Sequence, residues 1–351
     1  MMVRSPPGTA AAPANATASA SQAESPGYAP PVIYIAGSGR CGSTLLERVL
    51  GQIPGYVNVG ELIELAMHTA PLGERCGCGQ ATTDCPFWTA VGNRAFGGWD
   101  SRYLDLVRRR QIRVVRRHHR IGLRAIERAD RKCRTDLAAL GVYYESLYRA
   151  IAAESGAACV VDASLEVIQA LALAGAGIDV RVIHLVRDVR GVAHSLSKRV
   201  VRPHALNETE FMWRTTPAVA AVMWVLCMNQ VKLLRQRGIP VAQMRYEDFV
   251  CQPREAVEAA LGQLGLPPDP SGLAHIGDRR VVLGPSHGLS GNPSRFLQGE
   301  LILRPDEAWR DQMSRHNRIL VSMIGLQYLL RYGGRRSGEG HFPPATPETI
   351  R

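Results

Sequence analysis

The chain has 351 residues, 46% of them hydrophobic, and its 42 lysines and arginines exceed its 31 acidic residues to give a net charge of +11. That length and composition support one large core or two modest ones, and the basic balance points to anionic ligands. No uninterrupted apolar stretch reaches the ~18 residues that span a bilayer, and no charged start followed by an apolar run marks a secretory leader.

Residues 1–29 are rich in Ala, Pro, Ser and Thr with almost no large apolar side chains, so this segment is expected to be disordered. The first periodic element is Val32–Ala36, a β-branched strand. A glycine-punctuated turn, Gly37-Ser38-Gly39-Arg40-Cys41-Gly42, follows it, and Ser43 opens a helix with Leu45, Leu46, Val49 and Leu50. A strand, a tight loop and a helix in this order gather backbone N–H groups and a helix N-terminus at one point, which favours an anion. Gly37 and Gly42 keep the spacing of the nucleotide-binding pattern G-x-x-x-x-G-K-[ST]. Ser43 stands where that pattern has lysine, and Arg40 lies inside the loop instead.

Further along, Gly51–Gly60 is turn-rich and leads to Glu61 and a short helical pattern over Leu62–Met67. The loop Pro71–Phe87 carries Cys76, Cys78 and Cys85. Tyr103–Leu140 reads as one or two helices dense in arginine, with Tyr143–Ala153 helical after Gly141. Ala158–Ala163, Val180–Val186 and Pro240–Tyr246 are apolar strands. Helices follow at Leu165–Ala174, Val192–Arg199 and Pro253–Leu264, and Ala218–Arg237 is a long core helix. Loops with His287, Gly291, Asn292 and Arg295 precede a single helix over Asp306–Leu330, and the tail from Gly333 is loose.

Near-continuous apolar strands alternating with helices predict an α/β fold in three layers, with a central parallel sheet covered on both faces. Helical insertions fall at about 66–155 and 200–217, in one domain over 30–332. Ligands in such folds sit beyond the carboxyl ends of the strands. The Gly37–Thr44 loop, Ser164, Arg187–Gly191 and Tyr246–Asp248 are therefore expected on one rim. Arg187 ends the strand Val180–Val186, and Ser195 lies about two turns into the next helix. A guanidinium and a hydroxyl so placed can clamp a second phosphate. The alternative is a structural Arg187–Asp188 ion pair.

These motifs resemble the sulfotransferases that use 3′-phosphoadenosine 5′-phosphosulfate (PAPS). The resemblance rests on Gly39-Arg40-Cys41-Gly42-Ser43-Thr44 for the phosphosulfate loop and on Val186 to Ser195 for the 3′-phosphate motif. Arg245-Tyr246-Glu247-Asp248 and Gly291-Asn292-Pro293-Ser294-Arg295 extend it over about 30–330. Arginine in the loop makes the chain more similar to the tyrosylprotein and carbohydrate branches. The resemblance implies PAPS as sulfuryl donor, with Gly39, Arg40, Cys41, Gly42, Ser43, Thr44, Arg187, Ser195 and Arg295 as its binding residues and no metal required. It also implies a hydroxyl-bearing acceptor, Arg40 as the group stabilising charge on the bridging oxygen, and Glu61, in a Gly-Glu pair, as general base. The plainer reading of Glu61 is a carboxylate complementing a helix N-terminus. His184, His194 and His287 are lesser candidates for the base. Relatives often carry Asp-x-Ser-Lys after the second strand. Here Asp162-Ala163-Ser164-Leu165 lacks that cation, for which Lys198 or Arg199 could substitute.

The remaining features are less specific. Cysteines scattered singly suggest a reduced, cytoplasmic protein. Cys76, Cys78 and Cys85 are one short of a zinc set, with Cys41 or His68 as distant fourths, so the expectation is no metal but a structured loop, or a disulfide formed under oxidation. Cys41, at a helix N-terminus beside Arg40, would have a lowered pKa; as a small residue it would also fill the loop. The arginines of 108–134 present either a solvated face or a surface for an acidic acceptor or an anionic membrane. Nothing in the sequence supports nucleic acid. The competing functions are a P-loop nucleotide kinase, disfavoured by Ser43, and a non-catalytic PAPS-binding protein.

Overall fold

The computed structural model describes residues 29–70, 73–121, 131–202, 205 and 210–332. The expectations for 1–28 and for the tail from 333 lie outside these residues, as does much of the arginine-rich segment. The central sheet has five strands: β1 (Val32–Gly37), β2 (Tyr56–Asn58), β3 (Cys159–Leu165), β4 (Val180–Val186) and β5 (Val241–Arg245). They are ordered β2-β3-β1-β4-β5 and every pairing is parallel. β1 is the central strand. From β1 the chain passes to the edge strand β2, returns through β3 on one side of β1 and then crosses to β4 on the other, so the loop after β1 sits where strand order reverses. Crevices at such points take ligands in open α/β sheets.

Alternation along each strand divides the interior into two cores. Val32, Tyr34 and Ala36 face one, with Val160 and Val182 from the neighbouring strands. That face is covered by α2 (Pro86–Phe96), α3 (Ser101–Ile121), α4 (Arg131–Ser155), α5 (Val167–Gly175) and the end of α7 (Pro217–Gln236). Ile33 and Ile35 face the other, packed on Leu46, Val49 and Leu50 of α1 (Ser43–Leu50). Phe249 of α8 (Tyr246–Cys251) and Val257 and Leu261 of α9 (Pro253–Gln263) complete it. A third cluster joins α6 (Val189–Ser197) and α7 to α10 (Trp309–Gln312), α11 (Arg315–Ile324) and α12 (Leu326–Tyr332).

Several elements differ from the sequence reading. The single helix expected over Asp306–Leu330 is three, because Met313 and Ser314 are extended and Ser314 caps α11, whose end is Gly325. Leu62–Met67 is displaced to a π-helical turn at Leu65–Thr69. An antiparallel sheet of β6 (Ile276–Gly277), β7 (Arg280–Leu283) and β8 (Gly299–Ile302) occupies what read as loop. α7 is long and apolar enough to cross a membrane by length and composition, though such helices also serve as core helices, and about a third of it is buried. Its buried side carries Trp224, Met228, Val231 and Leu234, while Val219, Val222, Met223 and Leu226 are exposed.

Candidate functional site

The loop between β1 and α1 is shaped by backbone requirements. A Cβ at Gly37 would lie 2.7 Å from the Leu185 carbonyl oxygen, so only glycine lets β1 and β4 run this close. Gly42 has φ +102° and its absent Cβ would sit 2.5 Å from the Tyr246 ring. Arg40 is a non-glycine residue at φ +68°, a conformation that side chains seldom adopt outside constrained sites. α1 begins without a side-chain cap and without an acidic residue in its first turn. Its electropositive end is therefore not neutralised from within the helix.

Beyond the carboxyl ends of the strands this loop borders a cavity of about 520 Å³, within the ~300–1,000 Å³ range of small-ligand sites. Gly39, Arg40, Gly42, Ser43 and Thr44 form one wall, with Arg187 and Ser195 beside them. The two arms expected from sequence converge here. Arg40 donates from Nε to Ser195 Oγ at 3.2 Å, and Arg187 donates from Nη1 to the Arg40 carbonyl oxygen at 2.9 Å. The partner of Arg187 is not Asp188 but Asp306, at 2.8 Å; Asp188 instead caps α6 and pairs with Arg190. The Arg187 guanidinium lies 4.6 Å from the Tyr246 ring centroid, and its carbonyl accepts from Trp224 Nε1 at 3.1 Å. A Cβ at Gly191 would come within 3.2 Å of Arg187 Nε, so the first turn of α6 leaves room for the side chain. Burial, and next the charge of Arg187, lower the proton affinity of Arg40. Two close cations, one of them paired, are a site that an anion would relieve.

Glu61 lines the same cavity, its carboxylate close to Gly291. Its backbone N–H donates to the Leu289 carbonyl at 2.9 Å, and the preceding Gly60 N–H donates to Glu47 Oε2 at 2.8 Å. Gly60, at φ +72°, has no space for a side chain against Leu289. Desolvation, then the charges of Glu64 and Glu47, push the Glu61 carboxyl up to about 8. A carboxyl tuned near neutrality in a cavity wall suits proton transfer. Glu61 also precedes a helical turn: its carbonyl accepts from the Glu64 N–H at 2.9 Å, at the start of the turn that runs into Leu65–Thr69.

Two expected binding residues do not reach the cavity with their side chains. Cys41 is fully buried against Gly37. Burial overrides the Ser43 amide and raises its thiol to about 11, the opposite of the lowered value expected at a helix N-terminus. It fills the loop. Arg295 is also buried, and its guanidinium donates to backbone carbonyls of Ser290, Arg75 (2.6 Å) and Gly288 (2.8 Å). Those bonds hold both terminal nitrogens on backbone carbonyls, with Nε unpartnered in the interior, so the side chain braces the 288–292 segment away from the cavity. That segment brings Gly291 and Asn292 to the wall, where the Asn292 N–H donates to Thr44 Oγ1 at 3.1 Å.

The histidines lie elsewhere. His184 is sealed within β4, and burial lowers it to about 3. His194 faces Gln312, and His287 stands among Cys76, Cys78 and Cys85. Leu165 lines the cavity at the position where a lysine was expected, at φ +64° beside a bulge in β3. Lys198 and Arg199 are not in the wall; Arg199 stacks on the Phe211 ring at 3.8 Å. Sequence reading missed Arg304, Asp306, Met212 and Trp213, all of which line the cavity. They lie in irregular segments with no periodicity or motif to mark them. In the basic helix, Arg108 and Arg109 pair with Asp105, and Arg110 and Arg113 with Asp136.

A sulfotransferase family model matches residues 31–270, which include the loop, Glu61, Arg187 and Ser195. Among curated proteins there is no match. Among solved structures, the chain matches the sulfotransferase domain from the Synechococcus PCC 7002 olefin synthase, 20% identical, covering 86% of this chain and 96% of that one with a TM-score of 0.45. The sulfotransferase domain from the curacin biosynthetic pathway is 16% identical, with 85% and 97% covered and a TM-score of 0.43. Sulfotransferase STF9 from Mycobacterium avium is 12% identical, with 93% and 86% covered and a TM-score of 0.44.

Proposed function

The chain belongs to the sulfotransferase family, and from that premise we propose that it transfers a sulfuryl group from PAPS to an acceptor hydroxyl. The observation that carries this reading is the junction of two anion-binding arms in one cavity, with Arg187 bonded to the Arg40 carbonyl and Arg40 to Ser195. PAPS has two anionic ends, a 5′-phosphosulfate and a 3′-phosphate, and supplies an activated sulfuryl group when bound. The residues fit it. The N-terminus of α1 with Ser43 and Thr44 suits the phosphosulfate, and Arg187 with Ser195 suits the 3′-phosphate.

The chain's own groups then have distinct tasks. Arg40 stabilises negative charge as it builds on the bridging oxygen, an electrostatic contact worth ~10²–10³ in rate. Glu61, once ionised, takes the proton of the acceptor hydroxyl. Arg304 supplies a further cation to the wall where Leu165 has none. Met212, Trp213, Leu297 and Ile302 give the same cavity an apolar side. That side favours an alcohol carried on an apolar body, among the carbohydrate, lipid-linked and small-molecule acceptors open to the family.

Calorimetric titration with 3′-phosphoadenosine 5′-phosphate, followed by radiolabelled transfer from PAPS to a panel of alcohols, tests the reading. Binding with transfer that falls ~10²–10³-fold in Arg40→Ala supports it. Absence of binding by the wild-type chain overturns it. A second reading, a PAPS-binding protein without transfer, has the apolar Leu165 in its favour, and binding without transfer to any alcohol would select it.

A further inference from the structure

Cys76, Cys78, Cys85 and His287 place three Sγ atoms and one imidazole nitrogen within 4.8 Å of one another, far from any role in the cavity chemistry. We propose that these four side chains form a structural zinc site that locks the 76–85 loop to the segment leading into the cavity wall. Three of the separations lie near those of an assembled tetrahedron, and all four atoms fall within 4.8 Å. A zinc ion with Zn–S of ~2.3 Å and Zn–N of ~2.0–2.1 Å separates sulfur pairs by ~3.8 Å and sulfur–nitrogen pairs by ~3.6 Å. Cys78 Sγ lies 3.7 Å from Cys85 Sγ, and His287 Nδ1 lies 3.6 Å from Cys76 Sγ and 3.2 Å from Cys85 Sγ. Three thiols and one imidazole match the sulfur-rich tetrahedral sets that select zinc.

Each ligand is held from behind. Cys76 and Cys78 sit in a tight turn, with the Cys76 N–H donating to the Gln80 carbonyl at 2.8 Å and the Gly79 N–H to the Cys76 carbonyl at 2.9 Å. Cys85 is the residue from which α2 starts. The His287 ring stacks on Phe87 at 4.9 Å, and its carbonyl accepts from Trp88 Nε1 at 2.8 Å. Such backing orients metal ligands. Binding releases the thiol protons and leaves a cluster of net charge −1, and the Arg295 guanidinium lies close enough to Cys76 to feel its charge. Cys41, one of the fourth ligands considered from sequence, is not in the cluster.

The site's task follows from its position. His287 precedes Gly288 and Leu289, which accept from the Gly77 and Glu61 N–H groups at 3.0 and 2.9 Å. The ion would therefore fix the strip of chain that seats Glu61 and Asn292, without entering the reaction.

The test is the zinc content of the full chain, purified without an affinity tag under reducing conditions, by plasma mass spectrometry. About one zinc per chain is expected, falling to background in Cys78→Ser and His287→Ala and unchanged in Cys251→Ser. Cobalt added to the metal-free wild-type chain should give a thiolate-to-cobalt charge-transfer band, so the result does not depend on a variant that folds poorly. A reduced wild-type chain that neither contains nor takes up zinc or cobalt overturns the proposal. So does a Cys78–Cys85 disulfide in peptide maps of freshly isolated protein, or zinc retained when both variants are combined. Zinc content is read without donor or acceptor, so it stands or falls apart from sulfuryl transfer.

Discussion

Arg187 donates to the carbonyl oxygen of Arg40 at 2.9 Å across 147 positions of sequence. Its other terminal nitrogen holds Asp306 at 2.8 Å. One guanidinium thus ties the anion loop to α6 and to the C-terminal segment while facing the cavity. Hydrogen bonds to charged groups contribute ~1.5–3 kcal/mol, so Arg187→Ala should weaken 3′-phosphoadenosine 5′-phosphate binding ~10–100-fold. Arg187→Lys keeps the charge but cannot serve both partners, and should recover only part of the loss. An unchanged dissociation constant for Arg187→Ala in calorimetry would remove Arg187 from the site.

Glu61 gives a pH prediction with a defined sign. Its carboxyl is raised to about 8, so near pH 7 most of it is protonated and idle as a base. kcat/KM should climb as pH rises through about 8. Glu61→Gln should lower kcat ~10²–10⁴-fold and flatten that limb, with nucleotide affinity little changed. Stability runs the opposite way to activity. A carboxyl that holds its proton more tightly folded than unfolded (~4.3) loses its stabilising contribution as pH rises toward its folded value. Glu61→Gln should therefore melt higher than wild type at alkaline pH and close to it under acid. A pH-independent rate in the wild type would exclude Glu61 as the base.

Gly42 and Gly39 form a matched pair. Alanine at Gly42 must adopt φ +102° and meets the Tyr246 ring at 2.5 Å, the ring over which Arg187 lies. Left-handed backbone alone costs ~1–2 kcal/mol for an L residue, and moving Tyr246 adds to it. Gly42→Ala should lower the melting temperature and abolish nucleotide binding. At Gly39 the nearest atom is 4.0 Å away and φ is not positive, so Gly39→Ala should melt within a degree or two of wild type. Equal effects from the two variants would contradict the loop geometry.

The central strands, the loop after β1 and the Arg187–Ser195 arm were legible in sequence because each is local. Apolar runs mark strands, and glycines mark a turn. The residues that complete the cavity are Arg304, Asp306 and Trp213, and neither a period nor a motif announces them. Arg304 and Asp306 reach the site through the β7–β8 pair and the Asp306–Arg187 bond, and Trp213 lies next to the Val201–Phe211 bridge, contacts that join segments apart in the chain. Arg295 reads as a binding residue for a related reason. Sequence shows a cation but not the three carbonyls that hold its terminal nitrogens in the interior. The lowered pKa expected for Cys41 is likewise reversed by its burial, which leaves the loop-filling role that sequence favoured.

Leu165 offers a gain-of-function test. It lines the cavity where relatives of this kind often place lysine, and its neighbour Ser164 is fixed by the Asp162 carboxylate and by the Ile63 N–H at 2.9 Å. The backbone there is already at φ +64° with a branched side chain, so lysine adds no new strain. Leu165→Lys should bind 3′-phosphoadenosine 5′-phosphate more tightly and transfer faster, by about tenfold for one added charge contact of ~1.4 kcal/mol. Affinity that drops while the fold persists would mean that the apolar surface of Leu165 belongs to the acceptor.

Arg48 tests how the anion helix is anchored. It lies on α1 with only 1% of its surface exposed. Its guanidinium donates to the carbonyls of Arg295 at 2.6 Å, Ser294 at 3.2 Å, and Leu297 and Gly284 at 2.5 Å each. These acceptors belong to the segment that carries Asn292 against Thr44. Arg48→Met fills similar space but leaves buried carbonyls without donors, at ~1–3 kcal/mol for each that finds no water. The denaturation midpoint should fall by the equivalent of about 3 kcal/mol, and nucleotide affinity should fall with it because the wall facing Thr44 loosens. Arg48→Lys presents a single ammonium in place of the planar fork and should lie between the two. A midpoint within error of wild type for Arg48→Met would show that α1 is seated by its apolar face on the sheet alone.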